Sequence, residues 1–280
     1  MERDQLFLKY EKEVAEFKLG LIARLAGEVS LPQKPGRRRT SNFDMVEKVV
    51  AETMKAMASA PWGNSVIVDP RGAYTTAAGA VAKTLGLSLE KGFGTLEGKN
   101  VTVLAGTGPV GQTAARIYAT EKANVTITSR SLAKGQAIAD KINKECGEAR
   151  VKVVEVSKPE QTAAAIKDAE IILAAGAGGI QLMTADDLKK AAKAKIIGDI
   201  NAIKPLGVEG LDSNDDPKEL KAGTFGIGAL AIGKLKLKVE TDMIKRATEA
   251  ASGLFDYAIA YDIAKTQILK KLAKAKAGGK

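Results

Sequence analysis

Between Val101 and Asp199, short apolar runs alternate with stretches whose apolar positions recur every three or four residues. The runs at Val101–Ala105, Val125–Thr128, Val151–Val156, Ile171–Ala174 and Ile196–Asp199 predict buried strands. The segments between them predict helices, one reaching about Glu121 and others over 131–145, 159–167 and 184–193. Strands alternating with helices in this way argue a parallel sheet covered on both faces. Upstream, Leu6, Tyr10, Val14, Phe17, Leu21 and Leu25 mark an amphipathic helix over 3–27. A loop rich in Pro and Arg follows at 30–41, and Ser41 is placed to cap a second helix over about 43–59. Ser65–Val68 reads as a short strand ending at Asp69-Pro70-Arg71-Gly72, with an Ala-rich helix from about Thr75 to Leu85. The Gly-punctuated stretch 86–99 reads as a connection between domains, and 229–249 and 255–275 as two more helices.

Composition narrows the chemistry. The 280 residues include no His and one Cys, Cys146. Without imidazole there is no Ser-His-Asp or Cys-His nucleophile system, no His-ligated zinc and no His-held haem. A single cysteine excludes an intramolecular disulfide and a Cys-cluster zinc site, so no metal site is expected. The N-terminal MERDQLFLKYEKEVAEF mixes charges with apolar residues and suits neither a signal peptide nor a membrane span. The expectation is a cytoplasmic protein with no membrane partner.

The 43 Lys+Arg against 33 Asp+Glu give a net charge of +10, which suits an anionic partner. Nucleic acid, a phosphate-bearing cofactor and a polycarboxylate substrate all qualify. Two basic clusters stand out: Arg37-Arg38-Arg39, and the tail with Lys265, Lys270, Lys271, Lys274, Lys276 and Lys280. A solvated loop and a solvated helix end are the plain alternatives. Aromatics make up only 4%, too few for a platform that stacks single-stranded bases. A nucleic-acid-associated protein ranks behind the readings that the motifs below carry, so no nucleic-acid partner is expected.

One loop carries a specific signal. Gly106-Thr107-Gly108-Pro109-Val110-Gly111 fits G-x-G-x-x-G, directly follows the strand VTVLA and opens a helix. Gly106 permits the tight turn, Gly108 lets backbone approach a pyrophosphate, and Gly111 lets helix and strand pack closely. Amides at the helix N-terminus then face the phosphates. In NAD-binding proteins an acid normally ends the second strand and holds the ribose 2′-hydroxyl. Here Ser129, Arg130 and Lys134 stand in that region, a set suited to a 2′-phosphate, so NADP is the expected cofactor. A second Gly-rich strand end, Ala174-Ala175-Gly176-Ala177-Gly178-Gly179, offers Ala175, Gly176 and Ala177 to the cofactor's ribose and nicotinamide. Asp199-Ile200-Asn201-Ala202, after the fifth strand, points toward the same crevice.

These residues resemble a known family. VLAGTGPVG, SRSLAK, AAGAGGIQL, DINAIKPLGVEGLD and GTFGIGALAIGKLKLK look like the NADP-dependent methylene-tetrahydromethanopterin/methylene-tetrahydrofolate dehydrogenases of methylotrophic bacteria. Asp69-Pro70-Arg71-Gly72-Ala73-Tyr74-Thr75-Thr76-Ala77-Ala78 is similar to that family's D-x-x-G-x-x-T-T-A-A segment. The resemblance runs in order over about 65–265. The first sixty or so residues depart from it. Family members open with a βα segment that forms part of the pterin-binding wall, and here only about 42–59 matches the helix before the DxxG strand.

The resemblance implies an oxidoreductase of one-carbon metabolism that transfers a hydride from a methylene-tetrahydropterin to NADP+. No proton moves in that step, so the missing imidazole is no obstacle. It also implies a homo-oligomer, and places a lysine near the pterin cleft at Lys236, with Lys234 and Lys238 as alternatives. Asp69, Thr75 and Thr76 are candidates for hydrogen bonds to pterin or nicotinamide, or for helix capping. Asn201 is a candidate for the nicotinamide carboxamide or a turn residue, and Trp62 and Phe93 for pterin stacking or core. The expected fold is α/β. A substrate-side domain spans 1–96, with 1–40 largely helical; a Rossmann-type NADP domain spans 97–225; and C-terminal helices over 226–280 pack back on the first domain. A non-catalytic NADP-binding protein with a remodelled pterin site is the alternative reading.

Overall fold

In a computed structural model, which describes residues 43–58 and 65–278, the apolar runs pair side by side. Strands β2 (Asn100–Leu104), β3 (Asn124–Ser129), β4 (Val151–Glu155), β5 (Ile171–Ala174) and β6 (Ile196–Asp199) lie parallel in the order β4-β3-β2-β5-β6. Helices α3 (Pro109–Thr120), α4 (Leu132–Cys146), α5 (Thr162–Ile166) and α6 (Ala185–Lys190) connect them. The sheet is apolar on both faces, with Val103, Ile127, Ile172, Leu173 and Ile197 fully buried. The expected helix over 159–167 divides into a 3-10 turn at Pro159–Gln161 and the short α5. The helix expected over 184–193 shortens to α6, which starts where the Thr184 hydroxyl accepts the Asp187 amide.

Strand order reverses between β2 and β5, the place where an open α/β sheet has its ligand crevice. The register pairs Leu104 with Ala174. Both chains therefore leave the sheet at one level, and the loops after Leu104 and Ala174 emerge together.

Three strands were not evident in the hydrophobic pattern. β8 (Thr224–Ile227) adds parallel to β6, and β7 (Lys218–Lys221) closes that edge antiparallel. β7 reads KELK, an edge strand protected by charge. β9 (Gly253–Phe255) pairs in parallel with β1 (Ser65–Ile67) in a separate two-stranded sheet, in a stretch close to where a helix start was expected.

Helix α2 spans Ala73–Glu90, so the connection expected at 86–99 begins as helix. Gly86 does not end it: a Cβ there would stand 2.5 Å from Ile268 Cγ2, so the missing side chain seats a residue of α8 (Tyr257–Gly278). Gly79 likewise brings α2 against α7 (Ala229–Glu249), with the Ile232 carbonyl 3.4 Å from the position of a Cβ. α2 packs on both helices. Its last turn reaches the amino ends of the strands, where Lys91 lies over the Phe225 ring and Phe93 meets Phe225 at 6.4 Å. Thr84 is level with Gly198 in β6. Ala73 is eleven residues further back, roughly 16 Å at a helical rise of about 1.5 Å per residue. The N-terminus of α2 thus points to the carboxyl side of the sheet, the side of the crevice.

By contact the chain forms two units, residues 1–58 and 59–280; α1 (Phe43–Ala58) belongs to the first. The expected helix over 3–27, the Arg37–Arg39 cluster, Trp62 and Lys280 lie outside the described residues.

Candidate active site

The loop after β2 is held by the neighbouring strand. Ala105 takes a left-handed conformation (φ 54°), its amide donating to the Thr128 hydroxyl at 2.9 Å, and the Gly106 amide donates to the Thr128 carbonyl at 3.0 Å. A Cβ on Gly106 would meet Ile127 Cβ at 2.6 Å. A Cβ on Gly111 would meet the Ala105 carbonyl oxygen and Gly106 Cα at 2.8 Å each. Both glycines are required by the protein's own packing. Gly108 is different: a Cβ there would come no closer to protein than 3.5 Å, so the space beside it is left for something else. α3 starts at Pro109 without a side-chain cap, and the amides of Val110 and Gly111 have no partner within the helix. Thr107 stands beside them on the same turn. This is a cradle for an anion made of backbone and a helix N-terminus.

At the end of β3, the Ser129 side chain is buried and turned inward, donating to the Ser131 carbonyl at 2.7 Å and accepting the Ser131 amide at 3.1 Å. It shapes the turn that Ser131 then caps at the start of α4. Arg130 and Lys134 are exposed and have no side-chain partner among the described residues. Two free cations at the rim suit a phosphate monoester. The carboxylate nearest in register, Glu155 opposite Ser129, lies one strand out on β4.

Across the crevice, the Ala175 carbonyl is 3.9 Å from the position of a Cβ on Gly108. Ala175 is buried, Gly176 partly so, and Ala177 exposed. Asn201 ties this loop down. Its side-chain oxygen accepts the amides of Ile203 at 2.8 Å and Gly179 at 3.3 Å, and its nitrogen donates to the Pro205 carbonyl at 2.9 Å. Its second amide hydrogen has no partner among the described residues. Asp199, at the end of β6, organises the same loop by accepting the amides of Asn201 at 2.9 Å and Val208 at 3.1 Å. Burial pushes its carboxyl above the usual carboxylate value, opposed by backbone bonds from Asn201, Val208 and Gly207.

The second constellation lies at the N-terminus of α2. Arg71 (φ 55°) and Gly72 (φ 72°) make consecutive left-handed turns that fold Asp69 back over the helix start. Asp69 Oδ1 accepts the Tyr74 amide at 2.8 Å and the Thr75 amide at 3.3 Å; Oδ2 accepts the Thr75 hydroxyl at 2.6 Å. The Thr76 hydroxyl is spent on the Gly72 carbonyl at 2.6 Å. Lys236 of α7 comes to this turn, with Cε and Nζ 3.1 and 3.2 Å from where a Cβ on Gly72 would stand. Its ammonium bonds Glu240, whose Oε1 is 3.4 Å from the Thr75 hydroxyl. Lys234 and Lys238 face solvent, so of the three lysines only Lys236 meets the Asp69 turn. Glu240 is the residue that sequence reasoning missed; its position four residues after Lys236 was the available signal. Phe93 packs at the amino ends of the strands, away from this cluster.

Among the described residues, no group of His, Cys, Asp or Glu is arranged to hold a metal ion, and no helix is long and apolar enough to cross a membrane.

Several known proteins are similar to this chain. Residues 88–204, which include β2 to β6, match the shikimate/quinate 5-dehydrogenase family. The A chain of dipicolinate synthase from Bacillus subtilis aligns with a TM-score of 0.44 at 20% identity, over 75% of this chain and 57% of that one. Two proteins of Methylorubrum extorquens are much more similar in sequence. The bifunctional protein MdtA is 38% identical over 216 residues, 77% of this chain and 73% of its own. An NAD(P)-dependent methylenetetrahydromethanopterin dehydrogenase is 35% identical over 229 residues, 80% of this chain and 75% of its own. With that identity sustained over most of both chains, the protein belongs to the methylenetetrahydromethanopterin dehydrogenase family.

Proposed function

We propose that the protein oxidises a methylene-tetrahydropterin to its methenyl form, with NADP+ as hydride acceptor. The observation that carries this reading is the convergence of Asp69, Thr75 and Lys236 at the crevice side of α2, the side to which the backbone cradle of Gly106–Gly111 also opens. The relatives named above supply the substrate class: tetrahydromethanopterin, with tetrahydrofolate as the second pterin to be tried.

When bound, the nicotinamide supplies a hydride acceptor. Gly106, Thr107, Gly108, Pro109, Val110 and Gly111 would hold the pyrophosphate, chiefly through the amides of Val110 and Gly111. Arg130 and Lys134 would pair the 2′-phosphate, with Ser129 shaping their turn. Ala175, Gly176 and Ala177 would let the ribose pass close to backbone, and Asn201 would fix that loop and offer its remaining hydrogen. On the substrate side, Lys236 would orient the pterin, with Asp69 and Thr75 holding the turn against which it lies. The segment 65–96 and the helices after residue 226 would form this substrate side, and 97–225 the nucleotide side.

In the step itself, one C–H bond of the methylene carbon breaks and its electron pair leaves with the hydrogen. The carbon would be left as a cation shared with the two flanking nitrogens, the hydride going to the acceptor that a bound NADP+ would supply. The protein's task is orientation and exclusion of water, worth many powers of ten when reacting atoms are held in contact. The test is absorbance at 340 nm with methylene-tetrahydromethanopterin or methylene-tetrahydrofolate and NADP+. NADPH formation is the expected result, and none from either substrate would sink the reading. Calorimetry showing NADP binding without any pterin binding would then favour a non-catalytic NADP-binding protein.

A further inference from the structure

Lys236 poses an electrostatic difficulty for the reaction proposed above. An ammonium that touches the pterin stands close to a carbon that becomes cationic, and like charges in a half-buried setting repel strongly enough to shift an equilibrium tenfold or more, on the order of what Coulomb's law gives at contact. The cluster contains an answer. The Lys236 ammonium is bonded to Glu240, and both side chains are partly shielded from water, at 26% and 31% exposure. Lys234 and Lys238, on the solvent side of the same helix, have no carboxylate partner among the described residues. As a helix-stabilising pair it contributes little, because Lys four residues before Glu is the weaker orientation for a helical ion pair.

Nor can the other acid at this turn do the job. Asp69 is committed to the Tyr74 and Thr75 amides and the Thr75 hydroxyl, so its charge is spent on the N-terminus of α2. Thr75 has one proton and gives it to Asp69 at 2.6 Å, leaving only a 3.4 Å approach to Glu240. Glu240 is therefore free to serve Lys236. Arg71, on the same turn, is exposed, where solvent screens its charge.

We propose that Glu240 is a positioning residue that neutralises Lys236 at the Gly72 turn, so that the lysine can orient the pterin without opposing the methenyl cation. This rests on the reading that the pterin lies against Lys236. It predicts a selective effect: removing the Glu240 charge should penalise the cationic methenyl form more than the neutral methylene form.

The experiment compares wild type, Glu240→Gln and the double variant Glu240→Gln with Lys236→Met, all as full-length protein. Dissociation constants are measured for the methylene and methenyl forms of whichever pterin the wild type oxidises. In Glu240→Gln the methenyl form should weaken about tenfold relative to the methylene form, with NADP affinity within about twofold of wild type. Removing the lysine charge as well should bring the ratio back to within about threefold of wild type. An unchanged ratio in Glu240→Gln, or equal weakening of both forms in both variants, overturns the proposal; the second result marks Glu240 as merely structural. A wild type that oxidises neither pterin refutes the pterin reading itself, an outcome distinct from either.

Discussion

At the Gly106–Gly111 loop the protein presents backbone: amides without partners, and positions where one added carbon would strike main-chain atoms. At the Asp69–Lys236 turn it presents side chains, nearly all of them already bonded to one another. The first region is fixed by shape and open toward its ligand. The second is fixed by charge and satisfied before any ligand arrives. A backbone site fails when volume is added, whereas a side-chain site keeps its shape and fails when charge is removed.

The largest effect should come from adding volume to the backbone site. Gly111→Val would push carbons into the Ala105 carbonyl and Gly106 Cα, neither of which can swing aside. It should cost about 2–3 kcal/mol of stability, read by thermal melting, and weaken NADP more than about 100-fold, read by calorimetry. NADP binding within about tenfold of wild type would break the contrast. Next comes charge removal at the second site. Lys236→Met should lower kcat about 30-fold while leaving NADP affinity within about twofold, and Lys234→Met and Lys238→Met should each change kcat by less than about twofold. Equal losses at all three lysines would show that the Gly72 turn does not single out Lys236. The smallest effect sharpens the boundary between the two regions, because Arg130 is a charged side chain on the rim of a backbone site. Arg130→Ala should raise the Kd for NADP about tenfold and that for NAD by less than about twofold, measured by calorimetry. Equal losses for both cofactors would remove Arg130 as the reader of the 2′-phosphate.

The two regions also differ in how far the sequence discloses them. The phosphate loop is contiguous and lies between a strand and a helix, so its six residues announce it together with their context. The parallel strands β2 to β6 were equally legible, because strands buried on both faces read as unbroken apolar runs. The edge was not: Lys218 and Glu219 are exposed there, and no alternation stands out from the lysines around them. Gly86 misled for a related reason. In sequence it looks like punctuation, and in the fold it is the space that Ile268 fills. Lys236 was singled out by resemblance, but spacing could not separate it from Lys234 and Lys238; that took the packing of α7 against α2. Glu240 offered only its spacing of four from Lys236; its approach to Thr75 joins residues 165 positions apart and took the packing of α7 against α2.

The parallel pairing of Ser65 with Gly253 and of Ile67 with Phe255 bears on how the chain comes into being. On the ribosome, β1 emerges early and has no strand to pair with until residues 253–255 follow. All of the seven-stranded sheet, from Asn100 to Ile227, is made in that interval and can assemble before β9 follows. Contacts of such long sequence separation form late, because the loop they close must be ordered first. The Gly106–Gly111 loop is thus made and can take shape before Lys236 settles against the Gly72 turn.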